Sequence, residues 1–197
     1  FETLKEALAL REAGVAEQPH DVMLRSELGA VLHTLAQMNV AQAQDELALQ
    51  RLDRAITEQR RVVAAMPTFV QGHDYLRNHL TLRGTQLARL GRADDLQANA
   101  EELAAMRTDP SALRSAARHF LRLATLRETS PPATGTPLDA ETCRARALQL
   151  LVDAEAIGWG PNNPLDEALY APLKGRPEFE ALRTRVAARV QSPARRG

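Results

Sequence analysis

The sequence holds a single cysteine, Cys143, so no disulfide forms within the chain and a multi-cysteine zinc site is excluded. That count leaves the redox compartment open. Aromatic residues are scarce, with one Trp, two Tyr and four Phe among 197 residues. Charge of one sign is also lacking: 25 Lys plus Arg stand against 25 Asp plus Glu. A general nucleic-acid binder needs surplus positive charge to displace counterions from phosphates, so the balance argues against that class. No block of five or six like charges occurs; the nearest are EQRR at 58–61 and the terminal ARRG. No apolar run approaches the ~20 residues that span a bilayer. The charged, periodic start FETLKEALALRE is not a signal peptide. These absences predict a soluble chain with no membrane insertion of its own, cytoplasmic, within a parent that is open to tethering.

What is present is helix formers in a repeat. Ala, Leu and Arg dominate, and β-branched residues never alternate as they do in strands. At an offset of 48, eight positions are identical: Leu4/Leu52, Ala7/Ala55, Val15/Val63, Ala16/Ala64, Pro19/Pro67, Val22/Val70, Leu28/Leu76 and Leu32/Leu80. A fixed period of this length points to stacked helical hairpins. Leu24, Leu28, Val31, Leu32, Leu35 and Met38 share one face of a helix near 21–42. Ala48, Leu52, Ala55, Ile56, Val62, Val63 and Met66 stripe its partner near 45–66. Leu76, Leu80, Gly84, Leu87 and Leu90 mark a helix near 70–90, and Leu96, Ala100 and Leu103 the return near 93–107. Leu113, Ala117, Phe120 and Ala124 face inward after Asp109-Pro110-Ser111. Cys143, Ala147, Leu150, Leu151, Ala154 and Ile157 form a further stripe, and Phe179, Leu182, Val186 and Val190 the last. Pro19, Pro67, Pro110, Pro164 and Pro177 sit where helices begin or end.

The expected organisation is one helical-repeat domain over 1–197. The segment 1–19 reads as the second half of a truncated repeat, followed by repeats at 20–67, 68–109 and 110–158, a cap at 159–191 and a tail at 192–197. An insertion, ETSPPATGTPLD, interrupts the third repeat at 128–139. Seven principal helices and a short one near 164–171 are predicted, with no strand. Because the first segment reads as half a hairpin, the chain reads as a piece of a longer polypeptide. Phe1, Leu4 and Leu8 are then expected to present uncovered apolar surface, giving self-association through residues 1–18 or fraying there. Leu173, Phe179, Leu182 and Val186 should form a buried cap, with Glu178, Arg183 and Arg185 turned outward.

Few residues suggest chemistry. The five histidines, His20, His33, His73, His79 and His119, form neither HExxH nor an i, i+4 pair, so surface or groove positions are expected rather than metal ligands. Cys143 lies on an inward stripe and reads as a packed thiol, not a nucleophile. Asp94-Asp95 and Glu101-Glu102 are adjacent, so they point apart on a helix instead of forming an acid/base couple. Thr129, Ser130, Thr134 and Thr136 in the proline-rich insertion are candidate phosphate acceptors, although a plain solvated loop is the stronger reading. GWGPNNP, at 158–164, reads as a rigid turn with Trp159 folded onto the last helices. No catalytic residue, metal ligand or cofactor site is expected.

Leu32-x-x-Leu35-Ala36-x-x-Asn39 followed by Ala48, Leu52 and Ala55 resembles a tetratricopeptide repeat. So does Leu80, Gly84, Leu87 followed by Leu96, Ala100 and Leu103, with LARLGRADD at the turn. The resemblance implies an all-α, right-handed superhelix of αα-hairpins, with Ala36, Gly84 and Ala48 as the small residues where helices cross. The chain departs from that family's pattern: aliphatics replace its aromatic anchors, Arg83 stands where a leucine is usual, and the period is 48 rather than 34. About seven extra residues, from Arg60 to Met66, lengthen one helix. The series ALALRE…P…V…L, then LARLGRADD…DP, then Ala171–Leu182 (APLKGRPEFEAL) is similar to the C-terminal region of bacterial serine/threonine protein kinases. That likeness implies a transferase parent that binds ATP, with this stretch as its non-catalytic scaffold, since GxGxxG, HRD and DFG are all missing here. The tetratricopeptide likeness further implies a concave face lined by Ala30, His33, Gln37 and Ala41 and by Asn78, Thr81, Thr85 and Arg89. From these, His33, Gln37, Asn78, Thr81, Thr85 and Arg89 are the candidate groove for a protein or peptide partner, with Arg107 expected on the outer face. A self-assembling structural module unrelated to a kinase is the alternative.

Overall fold

The computed structural model describes residues 2–129, 138–158, 165 and 168–191. Every regular element among them is helical: α1 (Glu2–Glu17), α2 (Val22–Ala41), α3 (Asp45–Ala65), α4 (Val70–Arg89), α5 (Ala93–Ala104), α6 (Pro110–Thr129), α7 (Ala140–Ala156), a 3-10 helix (Ala168–Leu173) and α8 (Pro177–Gln191). Eight α-helices lie among the described residues, where seven principal ones are predicted. The short element is a 3-10 helix carrying Pro172. Helix α5 ends at Ala104, before the expected 107, where the chain turns toward the cap of α6. The extra length of the first full repeat is real: α3 has 21 residues against 12 in α5. Phe1, Ser130, Thr134, Thr136, Trp159 and the tail 192–197, with the readings placed on them, lie outside the described residues.

Local chemistry sets the helix ends. Asp21 caps α2, its carboxylate accepting from the Met23 and Leu24 amides at 2.8 and 3.0 Å. Asp109 does the same for α6 through the Ser111 and Ala112 amides, with Pro110 at the first helical position. Asp139 caps α7 through the Thr142 amide, and those hydrogen bonds hold its carboxyl below the usual carboxylate range. Ala43, between α2 and α3, takes a positive φ of 55°, a left-handed turn made without glycine.

The chain divides into two compact units, Phe1–Leu90 and Gly91–Gly197. In the first, α1 packs on α2, α2 on α3, α3 on α4, and α2 also on α4. Arg51 of α3 meets Leu35 and Asn39 near the end of α2, whereas Glu58 meets Arg25 near its start, so the two helices run antiparallel. Ala36, Ala48 and Leu52 are buried together against Val40 and Leu82. Leu28, Leu32 and Ala55 form a second cluster against Leu8 and Val15. Leu8 is thus half-buried rather than bare, because α1 turns that face onto α2 and Ala55 of α3; Leu4 is half-buried as well. The bare apolar residue of α1 is instead Leu10, 72% exposed. Val62 is buried while Val63 is half-buried and Met66 exposed, so the inward stripe of α3 ends earlier than its apolar residues do.

In the second unit α5 packs on α6, α6 on α7 and α7 on α8, with the 3-10 helix against α6 and α7. Helix α6 is buried on most of its circumference, including Leu113, Ala117, Phe120, Leu121 and Ala124. Leu173, Phe179, Leu182 and Val186 are buried, as the cap requires, and Ile157 is exposed rather than inward. Glu178 and Arg185 are exposed and Arg183 half-buried; Arg185 reaches back to Glu155 on α7 at 3.2 Å.

Candidate functional site

The candidate stripe lies on α2 and α4 of the first unit, and the structure occupies several of its residues. Gln37 and Asn78 are exposed. Thr81 and Thr85 are half-buried, and the Thr85 hydroxyl donates to the Thr81 carbonyl at 3.1 Å, so it is used within its own helix. Arg89 is 46% exposed at its side chain but engaged: it pairs with Asp45, at the start of α3, at 3.2 Å and donates to Gln86 Oε1 at 3.3 Å. A ligand carboxylate must therefore share this guanidinium with Asp45. Arg83, the departure from the tetratricopeptide pattern, pairs with Asp53 across α3 and α4 at 2.6 Å.

His33 points into the protein rather than along an open groove. Its Nδ1 lies 3.0 Å from Nδ1 of His79, with ring centroids 4.9 Å apart. His79 is 1% exposed and stacks near Tyr75 at 6.3 Å. Gln59, from α3, is also fully buried and donates through Nε2 to the Gly72 carbonyl at 3.1 Å. Its Oε1 and His79 Nε2 have no hydrogen-bond partner among the described residues. Both atoms crowd Gly29: a Cβ there would stand 3.2 Å from Oε1 and 3.4 Å from Nε2. At Gly72 a Cβ would stand 2.9 Å from Phe69. Two glycines therefore admit a buried polar cluster drawn from α2, α3 and α4. Burial lowers the His33 pKa, while burial and the neighbouring His33 bring that of His79 down to about 3.

Surface or groove positions are expected for the histidines, and His79 and His119 correct this, since both are buried. For His79 the signal was in the sequence: position 79 falls between Leu76 and Leu80 on the inward stripe of α4. No three or more His, Cys, Asp or Glu side chains converge to hold a metal among the described residues. Cys143 is buried, which raises its thiol pKa to about 11, a poor setting for a nucleophile. The adjacent acids are tied apart, Asp94 to Arg127 at 2.5 Å, Asp95 to Arg92 at 2.6 Å and Glu101 to Arg146 at 3.3 Å.

The second unit carries a groove of about 280 Å³ where the end of α5, the start of α6 and the end of α7 meet. Ala104, Leu113, Leu150 and Ile157 form its floor and Arg107, Arg146 and Asp153 its rim. Arg107, expected on a plain outer face, therefore borders a concavity. No helix among the described residues is long and apolar enough to cross a membrane. Comparisons of the chain with family models, with curated proteins and with solved structures returned no match in any of the three.

Proposed function

We propose that this chain is a non-catalytic scaffold, a tetratricopeptide-like superhelix of αα-hairpins that binds an extended segment of a protein partner. The observation that carries the reading is the packing of α2 on α4 as well as on α3. First helix against first helix is how stacked hairpins align successive stripes into one surface. On that surface Gln37, Asn78, Thr81 and Arg89 offer amide, hydroxyl and guanidinium groups on ordered helices, so a peptide binds with little loss of side-chain entropy. The likeness of APLKGRPEFEAL to bacterial serine/threonine kinase C-terminal regions is what supports a kinase parent, which would supply catalysis and ATP binding from another part of its chain. The test screens extended acidic peptides and measures the best binder against Arg89→Ala and against Arg61→Ala, an exposed arginine on α3. Arg89→Ala should weaken binding by about 1.5 kcal/mol, the low end for charged hydrogen bonds, because Asp45 already shares the group. Equal effects from the two variants sink the groove, and a parent polypeptide without kinase motifs sinks the kinase context.

A second reading, self-assembly, is favoured by one feature: none of the described side chains of α1 is fully buried, and Leu10 stands out to solvent. Sedimentation across a hundredfold concentration range, with and without Leu10→Glu, distinguishes it. Assembly that the substitution abolishes supports it, and a monomer throughout rules it out.

A further inference from the structure

We propose that the His33–His79 pair is a proton-operated latch between α2 and α4. It holds the helices together while the pair carries at most one proton and releases them when it carries two. This goes beyond the scaffold reading and holds for whatever partner the surface takes.

The latch assigns the hydrogen positions from the neighbours. Gln59 Oε1 is an acceptor without a partner beside Gly29, and His79 Nε2 crowds the same place. Neither atom has a hydrogen-bond partner, and the latch is assigned with a hydrogen on His79 Nε2, a donor in the region around Gly29 that also holds that unpartnered acceptor. With the hydrogen on Nε2, His79 Nδ1 is the acceptor, and His33 donates its Nδ1–H across the 3.0 Å contact. A first proton from solvent then settles on His33 Nε2, on the half-buried ring. The Nδ1–H bond to His79 survives and becomes charge-assisted. A second proton has only His79 Nδ1 to take. It replaces the acceptor with a donor, so the bond between α2 and α4 is lost and two cations face each other inside the unit.

Among the described residues, burial and His33 are what act on His79, and no carboxylate is found offsetting a second charge. Acids on α3 are already matched: Asp53 with Arg83 of α4, and Glu58 with Arg25 of α2 and with Arg61 of its own helix. From α4 itself the pair meets Tyr75, and Asp74 is bound to Arg77 at 2.7 Å. Gln59, from α3, is neutral. Opening the α2–α4 seam lets both rings reach water and take protons at ordinary pKa values, so acid drives the open form.

The experiment uses the full chain and amide hydrogen exchange around residues 76–83 at pH 7.5 and pH 4.5, corrected for the intrinsic pH dependence of exchange. The opening equilibrium should rise tenfold per pH unit below about 6.5, roughly 100-fold at pH 4.5. In His79→Gln this dependence should disappear or fall below about tenfold. Should that variant fail to fold, histidine ring NMR on the wild-type chain decides. His79 should stay neutral, with its hydrogen on Nε2, to below pH 5. A His79 that titrates near 6.5 in the folded chain overturns the latch, as does exchange equally pH-dependent with and without His79.

Discussion

Helices α1 and α8 have nearly equal lengths, 16 and 15 residues, and each packs mainly on one α-helix of its own unit, α2 and α7 respectively. What they bury differs sharply. Helix α8 packs on α7 and buries Phe179, Leu182 and Val186, and Phe179 meets Tyr170 of the 3-10 helix at 6.3 Å between ring centroids. Helix α1 buries no described side chain fully; Leu8 and Val15 rest half-covered on Leu28, Leu32 and Ala55. Both segments carry apolar residues at helical spacing. The difference lies in side-chain volume and in what lies beneath. Alanines and a glycine fill much of α1, whereas α8 places a ring where a second ring already forms a floor.

The largest test of that contrast is at the cap. Phe179→Ala should cost about 3–5 kcal/mol in denaturant titration, the range for deleting a fully buried ring. Leu8→Ala should cost about 1 kcal/mol, since only part of its surface leaves water. Equal losses would erase the distinction between the two helices, and a loss below about 1 kcal/mol at Phe179 would make α8 an appendage.

Acid acts next, on the first unit, through His79. In the folded chain His79 holds its proton less tightly than in the unfolded chain, so protons favour unfolding. Its contribution is complete above about pH 6.5 and is lost as pH falls from there toward about 3, amounting to about 2 kcal/mol at pH 5. Thermal melts of wild type and His79→Gln over pH 7.5–4.5 should therefore converge as acid is added. Curves that stay parallel would remove His79 from the account.

Smaller effects test the ends of helices. Asp21→Ala removes an acceptor from two amides of α2 and should cost about 1 kcal/mol, while Asp21→Asn should retain most of it. Leu10→Glu, on the bare face of α1, should change stability by no more than about 0.5 kcal/mol. A larger loss would show that α1 carries more of its unit than its burial suggests.

Much of the helical order was legible, because apolar residues recur at helical spacing and capping residues stand at the starts: Asp21, Asp109-Pro110 and Asp139. Ala36, Ala48 and Gly84, expected as the small residues where helices cross, are buried. The polar interior was not. Asn39, Gln59, His79 and Asn99 are each at most 1% exposed, yet a periodicity reading gives polar residues to the surface. Their partners are set by distant chain: Arg51 donates to Asn39 across the α2–α3 hairpin, and Gln59 reaches a carbonyl on α4. The candidate stripe failed in the same way at His33, whose place on a transferred face says nothing of the imidazole 46 positions later. Nor could spacing reveal that Arg89 would find Asp45.

The buried thiol has a practical consequence. Cys143 is the one cysteine of the chain, and its sulfur lies closed off beneath the Leu138 carbonyl at 3.9 Å. A thiol-directed dye added to the folded chain at neutral pH meets almost no thiolate. Labelling then proceeds only as fast as the second unit opens, so its rate is a clock for local breathing on that side of the chain. The same silence leaves the surface free for an introduced cysteine, which would be labelled selectively without removing the native one.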